Sequence, residues 1–400
     1  MAKRNERWSP LTAGLVAHHY GWALSVAAHG VTPVVRALPP APLDDLQWRN
    51  LLQGVNHQRL WGLLSAAVAE GALPCTGQQA NEARVGAKRA AMADLAIEGR
   101  LVETSLLLHG ADIDHRLLKG ITTAARVYPR RSLRSYGDVD VLVTGGSFDA
   151  AVESLEQAGG RRRFAQARPG FDHRFSKGTS FWMPDGISVD LHRTFVLGPY
   201  GFTVDLAGIF SRSDLVMVGG REIPCMDMLD AALHACMHAA LGDCPPRLVP
   251  MRDVVQFVSD ERVDATALLE RSREWRCEAV LARAVALAEV AYGLPESPLT
   301  RWSAGYRSKR WEQRAIALYG EGHTYRRQAI GATRFVAGSR AKLAYIGALA
   351  FPAPTYLGQR EGSVLRRALR AVSGLDVKRD LPRADRVQAY IRSRWDSTRR

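Results

Sequence analysis

The sequence predicts an α+β fold in which a small mixed sheet with its helices is flanked by helical regions on both sides. Apolar residues recur at helical spacing over residues 43–108, as they do on the buried faces of amphipathic helices. Short β-branched segments bounded by glycine follow, and after Asp227 the spacing is mostly helical again. We therefore expect a helical N-terminal region over 1–108, an α+β core over 109–225 and a mostly helical, basic region over 226–400.

Four segments define the elements of this core. The hexapeptide DVDVLV at 138–143 lies between glycines, which predicts a strand followed by a turn. Residues 147–159 carry apolar side chains on one face and end at a Gly-Gly pair, which predicts a helix. Residues 187–192 follow a Pro-Asp-Gly turn and alternate apolar with polar side chains, which predicts a second strand. Residues 215–223 predict a hairpin around a Gly-Gly turn.

Composition excludes several classes of protein. The chain has 400 residues, 46% of them hydrophobic and 24% charged, so it is long enough for two or three domains and is neither disordered nor collagen-like. Its apolar runs are far shorter than the ~20 residues of a membrane-spanning helix, so we expect no membrane partner. The five cysteines are odd in number and form no C-x-x-C pair, which excludes a disulfide framework and a zinc ribbon and favours a cytoplasmic location.

The positive charge is concentrated at the C-terminal end. The formal net charge is +14, and residues 301–400 hold 22 Lys and Arg against 7 Asp and Glu, a difference of +15. Clustered positive potential attracts phosphate groups, nucleic acid or a membrane surface. Solvated helix faces are an equally good interpretation of the same residues.

Three aspartates carry the chemistry that the sequence suggests. Successive strand side chains point to opposite faces, so Asp138 and Asp140 lie about 7 Å apart on one face. Asp190 shares a face with Ser188 and His192 on the second strand. Carboxylates held close together repel each other unless cations neutralise them, and Mg²⁺ prefers such oxygen ligands. A D-x-D pattern alone is more often a solvated strand edge than a metal site.

The order of motifs around these aspartates resembles a known family. The sequence has LLKG at 117–120, a helix-like segment at 121–128, Arg134, GDVDVLV at 137–143 and VDLH at 189–192. This order resembles the uncharacterised nucleotidyltransferase family of the polymerase-β-like superfamily, and the likeness covers most of the chain, although only the core motifs are specific. The resemblance implies a polymerase-β-like nucleotidyltransferase core.

The same resemblance implies roles for individual residues. Asp138, Asp140 and Asp190 would hold two Mg²⁺ ions, and Asp190 would also orient or deprotonate the acceptor. Lys119 and Arg134 would neutralise triphosphate oxygens, and Gly120 would let a backbone N–H approach a phosphate. For Arg134 a surface arginine remains an open alternative. His192 would contact the substrate or a carboxylate, with a satisfied polar histidine as the alternative.

The expected activity is Mg²⁺-dependent transfer of a nucleoside monophosphate from an NTP, with ATP as the first choice, to a hydroxyl or phosphate of a small-molecule or peptide acceptor, releasing pyrophosphate. One alternative is a toxin that modifies tRNA and grips nucleic acid through the basic C-terminal quarter. Another is a catalytically silent nucleotide-binding scaffold. His234 and His238 have i, i+4 spacing but lack the glutamate of H-E-x-x-H, so we expect helix packing or substrate contact and not zinc.

Overall fold

A computed structural model describes residues 21–31, 37–320, 325–354 and 356. The chain divides into two units, Met1–Phe351 and Pro352–Arg400. All the helices and strands given below belong to the first unit. The basic residues Arg366, Arg367 and Arg370, and with them most of the arginines near the C-terminal end, lie outside the described residues.

Helices form the N-terminal part, as the apolar spacing predicted. They are α1 (Gly21–Ala27), α2 (Asp45–Gln58), α3 (Trp61–Ala69) and α4 (Gly77–Gly110). Asp44 and Gln47 form a reciprocal capping box at the start of α2, and Thr76 and Gln79 form one at the start of α4. These boxes satisfy backbone N–H groups that a helix start leaves without partners.

A mixed sheet of seven strands follows, in the order β3-β4-β5-β2-β1-β7-β6. The strands are β1 (His115–Leu117), β2 (Val139–Val143), β3 (Arg161–Arg162), β4 (Gly178–Trp182), β5 (Ser188–His192), β6 (Ser213–Val218) and β7 (Arg221–Met226). The pairs β2–β5 and β1–β7 are parallel and the other pairs are antiparallel. The two strands and the hairpin predicted from the sequence are therefore confirmed, and so is the mixed sheet.

Four helices lie within the core. They are α5 (Ile121–Val127), α6 (Phe148–Gln157), α7 (Asp172–Phe175) and α8 (Leu206–Ser211). Val139, Val141 and Val143 of β2 pack in one cluster with Phe148 and Leu155 of α6. Because successive strand side chains alternate, Asp140 and Leu142 point to the opposite face.

That opposite face packs against the C-terminal helices. Leu142 belongs to the same buried cluster as Leu233 and Cys236. The helices after the sheet are α9 (Met228–Leu241), α10 (Leu248–Val258), α11 (Ala265–Glu274), α12 (Glu278–Tyr292), α13 (Pro298–Gly305), α14 (Arg310–Ala317), α15 (Tyr325–Ala332) and α16 (Ser339–Ala350). Asp227 caps α9 by accepting a hydrogen bond from the Asp230 backbone N–H.

All described strands lie between His115 and Met226, while the division at residues 109 and 226 into three parts stays a prediction. The α+β prediction with helical flanks is confirmed. All five cysteines have free thiols. Among the described residues, no helix has both the length and the apolar character needed to cross a membrane.

Candidate functional site

Two of the three predicted aspartates meet on neighbouring parallel strands. Asp140 of β2 is paired in register with Asp190 of β5, so both carboxylates lie on the same face of the sheet. Ligand atoms of Asp140, Asp190 and His192 all lie within 4.8 Å of one another. Asp138 is half-buried one step before β2 and lies outside this compact group. The structure therefore brings together Asp140, Asp190 and His192, while Asp138 acts on the site through its charge on Lys119 and Arg59.

Both oxygens of the buried Asp140 carboxylate accept hydrogen bonds. Nζ of Lys119 lies 2.5 Å from Oδ2, and Nε2 of His192 lies 2.8 Å from Oδ1. Burial by itself raises the pKa of Asp140, but the Lys119 ammonium and the His192 contact outweigh burial and hold this pKa well below its usual range. Burial likewise disfavours the charged form of Lys119, yet Asp138 and Asp140 raise the pKa of Lys119. Asp140 and Lys119 are therefore both charged.

The backbone at Gly120 places Lys119 over the carboxylates. Leu118, just after β1, donates its N–H to the carbonyl of Asp140 at 3.1 Å, so the chain leaves the sheet beside β2. Gly120 then adopts a backbone φ of 72° immediately before α5, a conformation that residues other than glycine rarely adopt. This turn explains why lysine and glycine are adjacent here. The predicted contact of the Gly120 N–H with a phosphate stays a prediction.

Arg134 is buried in an ion pair, so its interpretation as a surface arginine is wrong. Its Nη2 lies 2.7 Å from Oδ2 of Asp253 and its Nε lies 3.2 Å from Oδ1. The Tyr128 hydroxyl donates to the same carboxylate at 2.8 Å. Burial disfavours the charged guanidinium, but Asp253 reverses this effect and raises the pKa of Arg134. Its predicted contact with a triphosphate stays a prediction, and its structural partner is Asp253 of α10.

Sequence reasoning missed two further cations at the site. Lys177 lies directly before β4, and its carbonyl accepts hydrogen bonds from the N–H groups of Arg193 and Thr194 at 2.8 and 3.1 Å, which fixes it beside the end of β5. Burial, and then the neighbouring Lys119, lower the pKa of Lys177, while Asp140 and Asp190 oppose them. No local pattern marks Lys177 in the sequence.

The second missed cation is Arg59, which ends α2 with a left-handed φ of 57°. A Cβ on Gly137 would displace its guanidinium, so Gly137 leaves room for Arg59 in its observed position. Burial lowers the pKa of Arg59, and Asp138 is the carboxylate that opposes this most strongly. Since Arg59 and Asp138 are far apart in the sequence, only the fold brings them together.

The two histidines of α9 lie near the same cluster. The ring of His234 is 4.3 Å from the ring of Phe195, and His234 is almost completely buried. Burial, followed by the charge of Lys119, lowers the pKa values of His234 and His238 well below their usual range. Both rings are therefore neutral at pH 7. Neither belongs to the group of metal-ligating side chains found among the described residues.

The donor atoms of this site fit a hard divalent cation. Asp140 and Asp190 supply carboxylate oxygens, which Mg²⁺ prefers. Each carboxylate oxygen of Asp140 keeps a second lone pair beyond its hydrogen bond, so the contacts of Lys119 and His192 leave room for a further ligand bond. Three cationic side chains, Lys119, Lys177 and Arg59, surround the aspartates. Such an arrangement can bind a polyphosphate together with a metal ion.

The inner face of α4 supports the segment that leads into β2. Asp94 accepts a hydrogen bond from the Tyr136 N–H at 3.1 Å, and the Tyr136 hydroxyl donates to Glu98. Asp94 is 8% exposed, and burial raises its pKa to about 6 against the opposing hydrogen bonds of Tyr136 and Ser135. The Asp94 carboxylate, which is costly to ionise, therefore holds the loop beside Asp138 in place.

This raised pKa predicts how Asp94 affects stability. The pKa of Asp94 is about 6 in the folded protein and about 3.9 in the unfolded chain. Its contribution to the free energy of unfolding therefore falls as the pH rises from about 4 to about 6. Asn at this position can still accept from Tyr136. We expect Asp94→Asn to raise the free energy of unfolding by about 2–3 kcal/mol at pH 8 and to have little effect at pH 4. Urea unfolding of both proteins at each pH measures this, and an equal difference at the two pH values would contradict it.

Three comparisons relate this site to known proteins. A family model described as uncharacterised nucleotidyltransferase matches residues 44–293. A sequence comparison with curated proteins finds no match. Among solved structures, the antibiotic-resistance factor ANT(2'')-Ia is similar at 16% identity and a TM-score of 0.30, covering 45% of this chain and 94% of that one. An antigenic nucleotidyltransferase-like protein from Paracoccidioides brasiliensis is similar at 13% identity and a TM-score of 0.30, covering 52% of this chain and 97% of that one.

The family match spans more than half of the chain and includes the whole sheet, from His115 to Met226. It also includes all three aspartates and both lysines of the site. The family of uncharacterised nucleotidyltransferases expected from the motifs is therefore confirmed. The chain belongs to this family of uncharacterised nucleotidyltransferases.

Proposed function

We propose that this chain transfers a nucleoside monophosphate from an NTP, with ATP as the first substrate to test, to a hydroxyl or phosphate of a small-molecule or peptide acceptor. The observation that carries this proposal is the parallel register of β2 and β5, which sets Asp140 beside Asp190. A solvated strand edge would leave its carboxylates in water, but Asp140 is buried. The acids, with Asp138 one step away and cations around them, therefore support the interpretation as a site for nucleotidyl transfer.

In the proposed reaction, an acceptor oxygen forms a bond to the α-phosphorus of the NTP. The bond from that phosphorus to the oxygen bridging to the β-phosphate breaks, and pyrophosphate leaves with this electron pair. Asp138, Asp140 and Asp190 would hold two Mg²⁺ ions, which when bound stabilise negative charge on the attacking and leaving oxygens. Asp190 is half-buried, so its carboxylate can reach the acceptor and take the proton that the hydroxyl loses.

The cations have a separate role in this proposal. Lys119 neutralises Asp140 in the protein without substrate and can also donate to triphosphate oxygens, because an ammonium has three donors. Lys177, directly before β4, and Arg59, at the end of α2, face the same acids. Charge on the leaving pyrophosphate would thus be compensated from several sides. His192 orients Asp140 through its hydrogen bond to Oδ1.

A second candidate activity is transfer to nucleic acid. The observation that favours it is the charge of +15 over residues 301–400, which could neutralise an RNA backbone. The proposal of a small acceptor does not use these residues. The two activities differ in the acceptor that receives the labelled phosphate and in the dependence of binding on salt.

One experiment tests both. The full-length protein is incubated with Mg²⁺ and each of the four NTPs labelled at the α-phosphate, together with pooled metabolites, peptides or total tRNA. We expect pyrophosphate release and label in a small-molecule or peptide product, with weak binding to RNA. Label in tRNA, with RNA affinity that falls about 10³-fold between low and physiological salt, would put the second candidate first. NTP binding without transfer to any acceptor class would favour a silent scaffold.

A further inference from the structure

The outer face of α4 carries an apolar stripe. Its positions recur at alternating steps of three and four residues, which is the heptad spacing of a coiled-coil seam. The stripe runs for about 20 Å along the helix. We call it the α4 stripe, and its members are Met92, Leu95, Gly99, Val102 and Leu106.

Nothing in the described part of the chain covers the middle of this stripe. Met92 is 64% exposed, Leu95 is 66% exposed and Leu106 is 44% exposed. The buried side of the same helix is a different face, which includes Ile97 and Leu101. Soluble proteins rarely leave a continuous apolar patch in water, so such a patch marks a contact surface.

Gly99 points to a close contact in the centre of the stripe. It lies in the interior of a 34-residue helix, where glycine is less favourable than alanine. A Cβ at this position would meet no atom within 4 Å, so packing inside the chain does not require glycine there. A glycine in a seam instead leaves space for a large side chain of a facing helix.

The charged residues near the α4 stripe indicate which helix can pack against it. Lys88 and Arg89 lie near its N-terminal end and Glu103 lies near its C-terminal end, and all three are exposed. Within its own chain, Glu103 also pairs with Arg100 at 2.7 Å. If a second α4 runs antiparallel, with the two-fold axis between Leu95 and Ala96, then Lys88 and Arg89 of each copy face Glu103 of the other. The same register places Met92 opposite Gly99. A parallel pair would instead place like charges together.

We propose that the α4 stripe is the interface through which two copies of this chain form a dimer, with their α4 helices antiparallel. A two-fold axis makes each contact occur twice, so one complementary pattern on a single helix is enough. The proposal does not depend on the activity proposed above.

The first test is the oligomeric state of the full-length protein by analytical ultracentrifugation at micromolar concentration. We expect a dimer for the wild type and a monomer for Leu95→Glu. The matched control is Leu343→Glu, which changes an equally exposed leucine, 70% accessible, on α16 and should remain dimeric. A monomeric wild type, or identical behaviour of the two variants, would overturn the proposal. The first outcome would mean that the stripe is covered within one chain.

A charge exchange tests the antiparallel register. Glu103→Lys places three positive charges at each contact, and the double variant Lys88→Glu/Arg89→Glu places three negative charges there. Each variant alone should be monomeric. A mixture of the two should form a heterodimer, because every contact then joins opposite charges. If both variants stay dimeric, or if the mixture stays monomeric, the antiparallel arrangement is wrong.

Discussion

Asp138→Asn is expected to lower the rate of pyrophosphate release by at least about 100-fold, a loss comparable to removing a group that stabilises developing charge. Asp138 is half-buried and lies before β2, so its carboxylate is exposed enough to bind a metal ion and is not part of the apolar core. The amide of asparagine keeps the size of the side chain but removes its charge. Unfolding by heat should therefore occur at nearly the same temperature as in the wild type.

Comparison with two other Asp→Asn variants makes this test specific. Asp149→Asn changes a largely exposed carboxylate on α6 and should leave the rate unchanged. Asp140→Asn should lower both the rate and the stability, because it leaves the largely buried Lys119 ammonium without its closest carboxylate. Full activity of Asp138→Asn in the presence of the acceptor would remove Asp138 from the proposed site.

Asp253→Asn is expected to lower the free energy of unfolding by about 3–5 kcal/mol, the usual effect of breaking a buried ion pair. The side chains of Arg134 and Asp253 are only 6% and 2% exposed, so the charge left on Arg134 could not be hydrated. The Tyr128 hydroxyl would also lose its charged acceptor. Guanidinium unfolding of the variant and the wild type measures the difference.

A surface pair supplies the control for this experiment. Asp260 pairs with Arg262, whose side chain is 57% exposed, so Asp260→Asn should cost at most about 1 kcal/mol. The double variant Arg134→Met/Asp253→Leu removes both buried charges and should recover part of the loss. If Asp253→Asn costs no more than Asp260→Asn, then the buried pair does not hold α10 to the core.

Local patterns in the sequence were enough to predict the strands that carry the acids. Alternation in DVDVLV and ISVDLH fixed which side chains share a face, and the structure places Asp140, Asp190 and His192 together. The same alternation placed Asp138 on the face of Asp140, but Asp138 lies just before β2 begins and outside the compact group. Periodicity predicts side-chain directions within a regular strand, but not the position of a residue directly before the strand begins.

The other charged groups at and near the site were harder to predict for a different reason. Arg59, Lys177 and Asp253, the partner of Arg134, lie on separate elements, and none has a neighbour in sequence that marks it. Burial decides their importance, since a charge excluded from water needs a partner. Burial of a lysine in a loop or of an arginine at a helix end depends on tertiary packing, which a single sequence does not reveal.

The parallel pairing of β2 with β5 also bears on how relatives of this protein can be recognised. Backbone hydrogen bonds set Asp140 against Asp190, whereas the chain between them only connects the two strands through α6, β3, α7 and β4. Inserting residues at the turn after α6 would lengthen that connection without moving either carboxylate. Deleting one residue inside β5 would turn Asp190 to the opposite face. A search that fixes the distance in sequence between the D-x-D and the third aspartate would therefore miss proteins with the same site, while one that fixes the strand alternation would find them.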